Sequence, residues 1–181
     1  LNPLALYVVD SWGTQNPEQL LHYMHMADES MPSNIILGYH GHNNMMQALS
    51  VAQAMIKEGF SREIMIDASV YGIGRGAGNL NLEIIAKYLN DQYQKTYKIS
   101  PMVEIYDKYI KDIYAQEQWG YSVAYYLTAT YNCNPNYARF YSNKLNISNA
   151  KIEEILQNIK GDERAMFSEK LAREILERQN F

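Results

Sequence analysis

Two histidines, His40 and His42, stand two positions apart at the end of the apolar run Ile35-Ile36-Leu37-Gly38-Tyr39. Alternate side chains of a strand share a face, so both imidazoles point to the same side, a geometry that can chelate a metal ion. Imidazole suits zinc, manganese and iron, and added carboxylate or water oxygens favour an octahedral, oxygen-rich site. A pair of satisfied or half-exposed histidines explains the bare His-x-His spacing equally well; its place at a strand end favours ligation. Asp10 and Asp67 each close an apolar run and could add a third ligand, although capping the following loop is the more ordinary use of such a carboxylate. His22 and His25 are three apart on an expected helix and share its face. On an outer-layer helix they read as a solvated pair with no ion.

The segment Gly72-Ile73-Gly74-Arg75-Gly76-Ala77-Gly78-Asn79 is the other candidate. It loosely fits a dinucleotide-binding fingerprint with Asp91 beyond it, but Asp91 follows a helix where the fingerprint requires a second strand. A nucleotide is therefore disfavoured. Glycines such as Gly74 and Gly76 let the backbone pass close to a substrate, and Asn79 lies at a helix start suited to anions. A purely structural tight turn fits the spacing as well. After Trp119, the stripe Tyr121, Tyr125, Tyr126 and Tyr131 reads first as core packing. Among sixteen tyrosines one could still donate a proton to a substrate.

The elements that must position these residues alternate. Strands are expected over 4–11, 35–40 and 64–70, and helices over 17–28, 45–57 and 80–89, the first opened by Asn16-Pro17-Glu18 and the second closed by Gly59. Strands apolar on both faces, joined through helices by short connections, make an α/β arrangement with a parallel sheet and right-handed crossovers. From about Ser100 the chain turns helical, over 102–118 and 121–130. Asn132-Cys133-Asn134-Pro135-Asn136 then forms a break. Ser148 caps a further helix, and Asp162 is expected to cap the last, after Gly161.

Composition removes several function classes. A formal charge of -4 with sixteen scattered Lys and Arg gives no phosphate-neutralising stripe, which argues against nucleic acid. No apolar run reaches the roughly 20 residues of a membrane span. Cys133 is the single cysteine, so neither an intrachain disulfide nor a cysteine-based zinc site can form, which fits a reducing, cytoplasmic setting.

Taken in order, Tyr7-Val8-Val9-Asp10-Ser11-Trp12-Gly13, Gly38-Tyr39-His40-Gly41-His42-Asn43, and Asp67-Ala68-Ser69 leading into Gly72–Asn79 and Glu83 resemble a known family. These motifs are similar to those of the metal-dependent pyruvate aldolases of the hydroxymethylglutaryl-CoA lyase-like superfamily, with the greatest likeness to 4-hydroxy-2-oxovalerate aldolase. The resemblance implies the C-terminal half of a TIM (β/α)8 barrel over residues 1–98, followed by an α-helical domain over 99–181. It implies His40 and His42 as metal ligands, manganese or magnesium as the ion, Asn79 beside the metal and Tyr125 over the active site. The implied reaction is reversible aldol cleavage of a 4-hydroxy-2-oxoacid to pyruvate and an aldehyde. A second copy or a partner enzyme would bind through the helical tail. The family's first strand supplies an aspartate ligand, an arginine and a nearby histidine base, none of which these 181 residues contain, so the chain by itself is expected to be inactive. A Claisen-type acyltransferase or lyase acting on a CoA thioester, and a non-catalytic binding module, are the alternatives.

Overall fold

In the computed structural model of the chain, which describes residues 3–179, three strands form a parallel sheet in sequence order. They are β1 (Ala5–Asp10), β2 (Ile36–Gly41) and β3 (Ile64–Ile66). The register pairs Val8 with Tyr39 and Tyr39 with Ile66, so these residues share one face. Against that face lie α1 (Pro17–Ser30) and α2 (Ala48–Glu58), and together they bury Leu20, Met24, Leu37, Tyr39, Val51, Ala52 and Met55. Tyr7, Gly38 and Met65 pair across the opposite face, which also carries His40 opposite Val9. The two-residue alternation of the strands thus divides the sheet into a core face and a face that displays the histidines.

Local sequence accounts for most element ends. The Asn16 side chain accepts from Gln19 N at 2.9 Å and Gln19 Oε1 accepts from Asn16 N at 3.1 Å, a reciprocal cap reinforced by Pro17 in the first turn. At the far end of α1 the Arg62 guanidinium donates to the carbonyls of Asp28, Met31, Pro32 and Ile35 and to the Asp28 carboxylate. The expected stop of α2 is seen, with Gly59 in the left-handed region at φ 72°. The third strand is shorter than the expected 64–70: after Ile66 one further bond joins the chain to β2, from Asp67 N to Tyr39 O at 2.9 Å, and Val70–Gly72 then forms one tight turn with Tyr71 at φ 54°. Helix α3 spans Leu82–Tyr93.

The chain divides into two compact units, Leu1–Gly120 and Tyr121–Phe181. Strands give way to helices near the expected position 98, yet the helical stretch over residues 100–116, here α4, belongs to the first unit. It has a π-type segment, Tyr106–Ile110, at its centre. Aromatic packing holds it there. The Tyr71 ring lies 4.7 Å from Tyr106 and 5.2 Å from Tyr114 between centroids, and Trp119 Nε1 donates to Tyr71 O at 2.9 Å.

The second unit contains α5 (Val123–Thr130), a helical segment α6 over residues 136–144, α7 (Asn149–Asn158) and α8 (Glu169–Arg178). Its core includes Leu127, Tyr137, Tyr141, Ile152, Ile155, Leu156 and Ile175. The buried hydroxyls are satisfied: Tyr137 donates to Glu163 O at 2.8 Å and Tyr141 to Ala172 O at 3.0 Å. Ser148 caps α7 as expected. Asp162 does not cap the last helix. It falls in the tight turn Gly161–Arg164, and Ser168 caps α8 by accepting from Leu171 N at 3.1 Å. Among the described residues no helix is long and apolar enough to cross a membrane.

Candidate functional site

The C-terminal ends of β1, β2 and β3 and the glycine loop after β3 meet around His40 and His42. The two imidazole centroids are 5.1 Å apart, with the rings tilted 70° to one another. Each ring is held through Nδ1. His40 Nδ1 lies 3.1 Å from Asp67 Oδ2, and His42 Nδ1 lies 3.0 Å from the main-chain oxygen of Asp10. A carbonyl oxygen can only accept, so His42 carries its proton on Nδ1, and the Asp67 carboxylate selects the same form at His40. Neither Nε2 atom hydrogen-bonds to any described residue, so both lone pairs remain available as donors.

The loop after β1 fixes the turn that bears His42. The Asp10 carboxylate accepts from Thr14 N at 3.1 Å and Gln15 N at 2.9 Å, so this acid caps its own loop. Gly13, at φ 60°, nests so tightly that a Cβ there would lie 2.6 Å from Asn44 N and 2.7 Å from His42 O. Met45 N in turn donates to Gly13 O at 3.1 Å.

Asn79 is brought to the same place by the glycine loop. It forms an antiparallel bridge with His42, and Asn43 ties the two segments, its N donating to Gly78 O at 2.9 Å and its Nδ2 to Asn79 O at 3.0 Å. The Asn79 side chain donates from Nδ2 to Ile73 O at 3.0 Å, which fixes the amide orientation, since the flipped form would set oxygen against oxygen. Its Oδ1 is left buried without a hydrogen-bond partner among the described residues. An orphaned buried carbonyl oxygen is costly unless something outside the chain completes it. Gly74 makes this placement possible: a Cβ at position 74 would lie 2.7 Å from Asn79 Nδ2 and 2.9 Å from Oδ1. Gly76, at φ 63°, accepts on its carbonyl from Gly120 N at 3.2 Å.

Two imidazole nitrogens and an amide oxygen are donors that suit a divalent ion. No group of three or more His, Cys, Asp or Glu able to hold an ion forms among the described residues. A full coordination shell would therefore need Asn79 and further donors. His22 and His25 stay apart from this region: His25 Nε2 lies 2.8 Å from Glu58 Oε1, and His22 is exposed. Tyr125 belongs to the second unit, buried in α5, where Ser122 Oγ accepts from its backbone N–H at 3.2 Å.

Sequence reasoning assigned no role to Tyr7. It lies on the histidine face of β1, with its ring over Gly38, where a Cβ would be 2.6 Å from the ring atoms. Burial, and then the charge and hydrogen bonding of the Asp67 carboxylate, push the Tyr7 hydroxyl above its usual pKa. The two-residue step from Tyr7 to Val9, aligned with Gly38 and His40, was the available signal.

Comparisons with known proteins bear on the family and the fold. The sequence model of the HMGL-like family matches residues 1–108, and the chain belongs to that family. It is 35% identical over 86 residues to a 4-hydroxy-2-oxovalerate aldolase of Marinomonas sp. (strain MWYL1), covering 48% of this chain and 24% of that relative. It is 36% identical over 104 residues to the enzyme of that name from Geobacillus thermodenitrificans (strain NG80-2), covering 55% and 29%. The chain thus spans about a quarter of the length of these curated relatives. Among solved structures, the N-terminal domain of a Bacteroides vulgatus protein described as an aldolase superposes with a TM-score of 0.61 at 23% identity, over 84% of this chain and 44% of that one. The Bacillus subtilis HMG-CoA lyase superposes with a TM-score of 0.51 at 22% identity, over 62% and 38%. These two likenesses concern the fold.

Proposed function

We propose that this chain contributes part of the active site of a divalent-metal-dependent lyase that cleaves a 4-hydroxy-2-oxoacid into pyruvate and an aldehyde. In this reading its three strands are part of a TIM barrel. His40 and His42 would hold the ion through Nε2 and Asn79 through Oδ1. The observation that carries the proposal is the buried Asn79 Oδ1, unpartnered among the described residues, beside two imidazoles whose Nδ1 atoms are already engaged. When bound, a divalent ion supplies Lewis acidity toward a keto oxygen, and manganese or magnesium suits a mixed nitrogen and oxygen donor set. The chain's own part is to place the donors: Asp10 and Asp67 orient the imidazoles, Gly74 admits the Asn79 amide, and Asn43 locks the glycine loop to His42. Gly74 and Gly76 line the loop along which an oxoacid would lie. Tyr125 keeps the acid or orienting role that the family likeness gives it. No proton abstraction is assigned to the histidine face of this chain, because Tyr7 and Asp67 there are engaged with each other and with His40.

The names of the relatives favour an oxoacid over a CoA thioester as substrate. The test is calorimetric titration of the full-length protein with manganese, followed by assay of pyruvate release from 4-hydroxy-2-oxoacids. His40→Ala and His42→Ala are each expected to weaken manganese binding by about 100-fold or more, since losing an inner ligand exceeds the 10- to 100-fold typical of outer partners. His22→Ala should bind as wild type. Unchanged affinity in both His40→Ala and His42→Ala refutes the assignment.

A further inference from the structure

We infer that Asp67, steadied by Tyr7, is a positioning residue for His40: it holds the imidazole with its proton on Nδ1 and leaves Nε2 bare as a donor. This rests on the metal reading above and adds to it the residues that prepare one of the ligands. His42 is prepared by a main-chain carbonyl, a neutral acceptor that no substitution removes. His40 is prepared by a carboxylate, and a charged acceptor selects the tautomer more firmly than a neutral carbonyl does.

Three observations single out Asp67 for this task. Its side chain is 46% exposed, so folding does not require it to find a partner, and yet it meets His40 at 3.1 Å. Among the described residues its only other side-chain partner is Tyr7, so the carboxylate is not spent on capping a loop as that of Asp10 is. And the contact spans the sheet. Tyr7 on β1 can lie across β2 because position 38 is glycine, where any Cβ would strike its ring at 2.6 Å. Asp67 follows Met65 by two residues, and Met65 is the register partner of Gly38, so the three groups share one face. Tyr7 within β1, His40 near the end of β2 and Asp67 just past the end of β3 therefore form one polar chain across the sheet.

The role is testable without turnover. In the metal-free, full-length protein, nitrogen-resolved NMR of the histidine rings should show His40 as the Nδ1–H tautomer. In Asp67→Ala it should shift toward the Nε2–H form. Manganese affinity by calorimetry should fall about 10- to 100-fold in Asp67→Ala, less in Asp67→Asn, which keeps an acceptor but loses the charge, and a few-fold in Tyr7→Phe. If Asp67→Ala is poorly folded by circular dichroism, the manganese affinity of Asp67→Asn carries the comparison. A His40 tautomer unchanged in folded Asp67→Ala, or wild-type manganese affinity in both variants, overturns the inference. A wild-type protein that binds no manganese refutes the metal reading alone. That case is distinguishable, because the tautomer shift on removing Asp67 persists without any metal effect and still shows its hold on His40.

Discussion

Substituting Gly74 by alanine tests whether this glycine exists for the Asn79 amide or for a substrate. A Cβ at position 74 would stand 2.7 Å from Asn79 Nδ2, 2.8 Å from Cγ and 2.9 Å from Oδ1, where ordinary contacts begin at 3.4 Å. The overlaps are thus 3.4 − 2.7 = 0.7 Å at Nδ2 and 3.4 − 2.9 = 0.5 Å at Oδ1. The amide must move by about that much, and its 3.0 Å bond to Ile73 O is lost or stretched. Such overpacking costs about 1–3 kcal/mol, and the hydrogen bond adds about 1 kcal/mol. Restricting the unfolded chain returns only about 0.4–1 kcal/mol, so the steric cost decides the sign. Gly74→Ala should therefore lower the melting temperature by several degrees and, by displacing Oδ1, weaken manganese binding about tenfold, equivalent to about 1.4 kcal/mol. Thermal unfolding and calorimetry on the full-length protein measure the two effects. If both stay at wild-type values while 2-oxoacid binding weakens, Gly74 serves the substrate and the argument from Asn79 is wrong.

Other perturbations address the framework. Arg62→Ala should destabilise the protein by about 2–4 kcal/mol in denaturant titration, because it strips carbonyls at the end of α1 of their donor and leaves Asp28 unpaired. Arg62→Lys should recover little, since one ammonium cannot reproduce the forked contacts. Asn43→Ala should loosen the glycine loop from His42 and weaken manganese binding without a large change in melting temperature, a split that calorimetry and thermal unfolding resolve. In the second unit, burial pushes the Cys133 thiol up to about 11 and the Tyr137 hydroxyl up to about 12. Groups whose pKa is raised by folding stabilise fully below their unfolded values and lose that contribution as pH rises toward the folded ones. Stability should thus fall between pH 9 and 12, and Cys133→Ala should flatten the early part of that fall. A pH-independent melting temperature from 9 to 11 in wild type would contradict the burial argument.

Much of the local structure was legible because short-range chemistry dictates it. Asn16-Pro17 starts α1 and Gly59 ends α2 where their residue types require, and Ser148 caps α7. The His40 and His42 pair could be read from strand alternation alone. Misreadings arose where two local signals competed. Asp162 after Gly161 has the form of a cap, but Ser168 lies immediately before the amphipathic run that packs Ala172 and Ile175, and burial of that face sets where α8 begins. Likewise, the change from strands to helices near position 98 does not mark the unit boundary, because Tyr71 gathers Tyr106, Tyr114 and Trp119 into the first unit.

By itself, the sequence determined the parallel α/β order, the face shared by the two histidines and the special status of the glycine loop, since each follows from backbone periodicity and the conformational freedom of glycine. Only the tertiary structure decided what each polar group does. Asp10 and Asp67 are indistinguishable as aspartates closing apolar runs, yet one carboxylate takes the amides of Thr14 and Gln15 and the other takes an imidazole. The spacing between Gly74 and Asn79 does not show that one makes room for the other, nor that the amide oxygen is left without a partner among the described residues. Those assignments depend on distances between segments far apart along the chain, fixed by sheet register and packing, and no local pattern encodes them.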